Sequence, residues 1–149
     1  DYIMAKVGRA ARVASRQRVE TISGDKTIAS AETGELYIQT ANAVITLPEV
    51  QDGAYFKFVL LTNLTAAGTI KITSAEAVDG DMVGSVFEQV TGGANAHSAV
   101  RQDDDTDHQV TLANDIHQGS YLECYCDGTT WIMTGHCNVS AVGKVSFGT

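Results

Sequence analysis

The chain has 149 residues, 44% hydrophobic and 19% charged, with a net charge of −8. That length matches one domain of about 150 residues, and the apolar share excludes a disordered chain. The longest apolar run, Phe58 to Leu61, is far below the roughly 18 residues a spanning helix needs, so no membrane span is expected. No basic segment leads into an apolar one, so no classical secretory signal is expected either.

The charge is divided along the chain. Residues 1–19 carry Lys6, Arg9, Arg12, Arg16 and Arg18 against Asp1, a net of +4, and the rest carries −12. We read 1–19 as a basic N-terminal arm and 20–149 as a single domain. Ala5, Ala10, Ala11 and Ala14 favour a short helix in the arm, but Gly8 interrupts it, and so short a helix is marginal in water. Contacts with another body should therefore order the arm.

After Glu20 the pattern changes to short apolar runs separated by Gly, Asn, Asp and Thr. Leu36 and Ile38 alternate with Tyr37 and Gln39. Val44, Ile45 and Leu47 end at Pro48, which cannot donate to a strand ladder. Tyr55–Thr62 reads as a strand buried on both faces. Asn63–Gly68 reads as a turn, and Thr69–Thr73 as a strand with Ile70 and Ile72 inward. Val83–Val90 is another strand, and the Gly- and Ala-rich stretch from Thr91 to Ala99 reads as a long mobile loop.

Val110–Leu112, Tyr121–Cys126, Trp131–Met133 and Val142–Phe147 complete the series. Asp127-Gly128 marks a hairpin that sets Cys126 opposite Trp131 and Cys124 opposite Met133. Such a series predicts an all-β protein, an antiparallel sandwich or barrel of jelly-roll type. No repeat of fixed period is present, which argues against a solenoid.

Cys124, Cys126, His136 and Cys137 are zinc-ligand types. The hairpin register carries Cys137 about 13 Å beyond the partner of Cys124, which argues against both zinc and a disulfide. Cys124 and Cys126 share a strand face and read as packed free thiols. The acidic run offers Asp103, Asp105 and Asp107 as a weak Ca²⁺ candidate, although it lacks the Gly and Glu of an EF-hand loop and reads first as a solvated loop. No catalytic motif is present, and His97, His108, His117 and His136 are scattered, so neither catalysis nor a cofactor is expected. Tyr125 and Trp131 read as core or subunit-interface packing.

Several segments resemble the head decoration (cement) proteins of tailed phages, particularly of marine phages. They are Met4-Ala5-Lys6-Val7-Gly8 through Arg12-Val13 and Gln17-Arg18-Val19-Glu20, then Lys26-Thr27-Ile28, and Glu32-x-Gly34-Glu35-Leu36-Tyr37-Ile38. Further on come Val44-Ile45-Thr46-Leu47-Pro48, Gly53-Ala54-Tyr55-Phe56-Lys57-Phe58-Val59, Gly119-x-Tyr121-Leu122-Glu123 and Asp127-Gly128-Thr129-x-Trp131-Ile132-Met133-Thr134-Gly135. Residues 75–107 match least.

The resemblance implies a structural virion protein, assembled in the host cytoplasm and bound to the capsid exterior as a homotrimer. It also implies the major capsid protein as partner. Lys6, Arg9, Arg12, Arg16 and Arg18, with Val7, Val13 and Val19 as apolar contacts, are the expected docking residues. A head-fibre or tail-fibre module binding host glycan through Tyr121, Tyr125, Trp131 and the acidic run is the alternative. Nucleic acid is disfavoured because the acidic body repels a phosphate backbone.

Overall fold

The computed structural model describes residues 17–39, 42–64, 68–76, 81–91, 97–101 and 106–149. The expected docking residues Lys6, Val7, Arg9, Arg12, Val13 and Arg16 lie outside them. The described residues form twelve strands: β1 Val19–Ile22, β2 Lys26–Thr27, β3 Leu36–Gln39, β4 Ala43–Thr46, β5 Tyr55–Leu60, β6 Ile70–Thr73, β7 Met82–Val90, β8 His97–Arg101, β9 Gln109–Leu112, β10 Tyr121–Cys126, β11 Trp131–Val139 and β12 Val145–Gly148. Among the described residues, a single 3-10 turn, Ser30–Glu32, is found, before β3.

The strands form two packed sheets. One has seven strands in the order β1-β3-β5-β10-β11-β7-β8, the other five in the order β12-β9-β6-β4-β2. Phe56, Phe58, Leu122, Cys124, Trp131 and Met133 from the first meet Ile45, Ile70, Ile72, Val110 and Leu112 from the second, all buried in one cluster. The expected all-β sandwich is present.

Its topology differs from the expected antiparallel jelly roll, because five of the ten strand pairings are parallel. A parallel neighbour needs a crossover, and here the opposite sheet provides it. The chain passes from β1 to β2, β3, β4, β5 and β6 by alternating between the sheets, so β1-β3-β5 and β2-β4-β6 each run parallel.

The first half is thus an irregular two-sheet coil. Its turns advance 17 residues from Val19 to Leu36 and 21 from Leu36 to Lys57 in one sheet. In the other they advance 19 from Lys26 to Ile45 and 27 from Ile45 to Ile72. Unequal turns leave no fixed-period repeat, so the sequence argument against a solenoid missed this winding.

Four local expectations are corrected. β5 is not buried on both faces: Phe56, Phe58 and Leu60 are buried while Tyr55, Lys57 and Val59 are half-buried, and Leu61 beyond it is exposed. Asn63–Gly68 leads from one sheet to the other rather than joining paired neighbours. Within the expected loop Thr91–Ala99, residues 97–99 belong to β8, which pairs with β7. β11 runs on to Val139, because its parallel pairing with β7 carries the hydrogen-bonded register far past the hairpin.

The hairpin itself follows the expected register, with Cys126 opposite Trp131 and Cys124 opposite Met133. Asp127 caps its turn, accepting hydrogen bonds from the N–H groups of Thr129 at 2.9 Å and Thr130 at 2.8 Å. These bonds hold its carboxyl below the usual value.

Candidate functional surface

Two features combine charge or exposed apolar groups in a way that suits recognition. The first is the root of the arm. The Arg18 carbonyl accepts the Leu36 N–H at 2.8 Å, and the Gln17 amide donates to the Gly34 carbonyl at 3.0 Å. The Arg18 guanidinium lies 3.0 Å from the carboxylate of Glu35, itself only 3% exposed. Arg18 and Val19, both placed by sequence in the docking arm, are therefore at the edge of the seven-stranded sheet. Val19 is 57% exposed there.

Beside this root, the carboxylates of Glu20, Glu32 and Glu35 lie within 4.8 Å of one another. Lys26 already fills the place of a cation: its ammonium is 2.9 Å from Glu20 and 2.9 Å from Glu32. Burial alone would lower the Lys26 pKa, but the hydrogen bonds and charge of Glu20 and Glu32 outweigh it and hold the group above its usual value. Burial likewise pushes Glu32 up, yet Lys26 and the Ala29 N–H together hold it below its usual value. Burial, then the charges of Glu32 and Glu35, push the Tyr37 hydroxyl up, so it stays protonated. The cluster is a set of ion pairs fastening β1, β2 and the 3-10 turn together.

The second feature is the outer face of the seven-stranded sheet, the side turned away from the core. Strand register places Tyr55, Tyr125, Ile132 and Val83 in one row across it. Ile38, Val59, Tyr121, His136, Phe87 and Ala99 form a second row. Between them run Val19, Leu36, Lys57, Glu123, Thr134, Ser85 and Arg101.

The rings on this face touch one another. Tyr55 and Tyr125 have centroids 5.0 Å apart, and Phe87 lies 5.3 Å from His136 and 5.8 Å from His97. The Lys57 ammonium sits 4.8 Å from the centre of the Tyr121 ring and 3.3 Å from Glu123. Tyr125 donates its hydroxyl proton to Glu123 at 2.7 Å. That bond pushes the Tyr125 pKa up to about 12 and, with Lys57 assisting against a smaller burial effect, holds Glu123 below its usual value.

The sequence named Tyr121 and Tyr125 as surface candidates but not Phe87, Ile132 or Tyr55, and it named His136 only as a metal-ligand type. The alternation of Val83, Ser85 and Phe87 along β7 was the available signal. It became informative only once the strands beside β7 were known.

Among the described residues, the remaining candidates do not assemble. Trp131 is wholly buried, which removes it from an exposed glycan groove and places it in the core, 6.1 Å from Phe56. Cys124, Cys126 and Cys137 are free and buried. Burial pushes the Cys124 thiol up, and burial followed by the nearby Glu88 charge pushes Cys137 up to about 12, so neither is a thiolate poised to bind metal. Asp103 and Asp105 lie outside the described residues. Asp107 is 2% exposed, so it is not the solvated carboxylate expected of that run: its carbonyl accepts the Met82 N–H, which ties this residue to the start of β7. Comparison with protein-family models, with curated proteins and with solved structures finds no match to the chain.

Proposed function

We propose that this chain is a structural, non-enzymatic virion protein that binds the exterior of a tailed-phage capsid and bridges its subunits. The basic N-terminal arm docks on the major capsid protein. The observation that carries this reading is the division of charge, with +4 in the first 19 residues and −12 in the remainder. A basic arm is drawn to an acidic shell, while the acidic body stays soluble and resists indiscriminate contact. The ion pairs at the arm's root support the reading, because a load-transmitting arm needs a fixed attachment to the body. Bridging many capsid subunits at once multiplies a modest contact energy across the shell.

The test is charge reversal in the full-length chain, Lys6, Arg9, Arg12 and Arg16 each to Glu. Purified capsids lacking the protein are incubated with each form, and occupancy is read by sedimentation. We expect the reversed chain to lose at least tenfold in apparent affinity, and binding of the native chain to weaken between 50 and about 300 mM salt. Equal occupancy by both forms defeats the reading.

A further inference from the structure

Tyr55 and Tyr125 stand directly opposite one another in the antiparallel pairing of β5 with β10. Their rings lie together on the outer face of the seven-stranded sheet, with centroids 5.0 Å apart and planes inclined at 34°. Facing residues on adjacent strands have Cβ atoms only about 4.5–5.5 Å apart, so the sheet itself holds the two phenols side by side. The chain has five tyrosines, and among the described residues no other two have their rings in contact. Tyr37 is wholly buried, and the Tyr121 ring meets His136 and Lys57 instead. We propose that Tyr55 and Tyr125 are a site of oxidative modification, at which a one-electron oxidant joins the two rings as dityrosine.

The surroundings supply what this chemistry needs. Removing an electron from a phenol makes its proton strongly acidic, so oxidation is easiest where a base already holds that proton. Tyr125 donates its hydroxyl proton to Glu123 at 2.7 Å. That bond, with the Lys57 ammonium 3.3 Å away, keeps Glu123 ionised and ready to accept. It also pushes the Tyr125 pKa up to about 12, so phenolate is scarce at neutral pH and the proton leaves with the electron. Tyr125 is 39% exposed, which admits an oxidant. Trp131, Met82, Met133 and the three cysteines, which would compete for that oxidant, are all buried.

The balance is two electrons and two protons. Each phenol gives up one of each, the proton of Tyr125 passing to Glu123 and on to water. Both radicals carry spin at the ring carbons beside the oxygen, and one such carbon from each ring forms the new C–C bond. Each of these carbons then passes its hydrogen to the oxygen beside it, which restores both phenols. With hydrogen peroxide as oxidant, delivered through a haem peroxidase, one peroxide takes up the two electrons and two protons and leaves as two waters. The new bond ties β5 to β10 across 69 intervening residues. A cross-link that closes so long a loop restricts the unfolded chain, so the linked form resists denaturation.

The inference stands apart from capsid docking and is tested without capsids, on the full-length chain. The native chain, Tyr55→Phe, Tyr125→Phe, Tyr121→Phe and Glu123→Gln are treated at low micromolar concentration with hydrogen peroxide and a haem peroxidase. Circular dichroism checks that each variant is folded, dityrosine fluorescence follows the reaction, and mass spectrometry of peptides identifies the residues joined. We expect the native chain and Tyr121→Phe to give a single-chain product two hydrogens lighter, with the Tyr55 and Tyr125 peptides linked. Its urea midpoint should lie above that of the untreated chain. Tyr55→Phe and Tyr125→Phe should lose at least tenfold in dityrosine yield. Glu123→Gln keeps a hydrogen-bond acceptor but loses the base, and should slow the linkage at least fivefold. A product linked through other tyrosines or between chains overturns the proposal. So does a native chain that forms no Tyr55–Tyr125 linkage while free tyrosine in the same mixture dimerises. An unchanged rate in Glu123→Gln overturns the part given to the carboxylate.

Discussion

Glu88 shows how one buried carboxylate joins the two sheets. It lies on β7 with no measurable exposure, and it accepts N–H groups from Gly143 at 3.1 Å, Lys144 at 2.7 Å and Val145 at 3.2 Å. These donors open β12 in the other sheet, so a single side chain satisfies three backbone groups that the sandwich would otherwise bury. Glu88→Ala should destabilise the fold by about 3 kcal/mol, because stranded donors cost roughly 1–3 kcal/mol each and solvent reaches some of them. Urea unfolding measures this, and a loss below about 1 kcal/mol would mean that the donors find other partners. Nothing in the sequence around Glu88 marks the role. An acidic residue in a strand reads as solvent-facing, and only the approach of residues 143–145 makes it interior.

At the scale of elements, close approach and ion pairing decide what the strands tolerate. Gly84 lies on β7 at φ +127°, where a Cβ would run into the carbonyl oxygen of Met133 on β11. Both the backbone conformation and the space require glycine. Gly84→Ala should cost about 2–4 kcal/mol in urea unfolding, and a neutral result would show that β7 can move away from β11.

The cluster at the root of β1 is the other such element. Glu32 is held below its ordinary value of 4.5, so its contribution is complete above that value and is lost as pH falls through the lowered folded value. Lys26 is held above its ordinary 10.5, so its contribution is complete below 10.5 and is lost as pH rises through the raised folded value. The attachment of β1 is therefore firmest from about pH 5 to pH 10. Lys26→Met should destabilise by about 1 kcal/mol at pH 7, a partly exposed network being worth little more. The difference from the native chain should shrink as pH falls below 4.5, and a difference that stays constant throughout acid titration would refute the role given to the ion pairs.

Among the described residues, two pairings hold the halves of the molecule as one unit. β5 with β10 joins the coiled first half to the hairpin of the second in one sheet, and β6 with β9 joins the halves in the other. Phe56 and Trp131, one from each half, pack 6.1 Å apart in the shared core. Unfolding should therefore be a single transition in which Trp131 fluorescence and far-ultraviolet circular dichroism coincide in urea. Two separated midpoints would show that the coil and the hairpin are independent. The seven-stranded sheet also presents the aromatic face, so one cooperative unit carries both that face and the arm's attachment.

The sequence by itself determined the all-β class, most strand positions, the Cys124–Cys126 hairpin register and the opposed charges of arm and body. These depend on period-2 alternation, turn residues and composition, all of which are local. Tertiary structure alone decided that half the pairings are parallel, that the first half coils between two sheets, and that Tyr37 and Gln39 rather than Leu36 and Ile38 face inward on β3. It also decided that Glu20, Lys26, Glu32 and Glu35 meet, and that Tyr55, Tyr125, Tyr121, His136 and Phe87 share a face. The reason is physical. Each strand's alternation defines two faces, but which face is buried, and which residues of distant strands lie beside one another on it, depends on long-range pairing that no local pattern records.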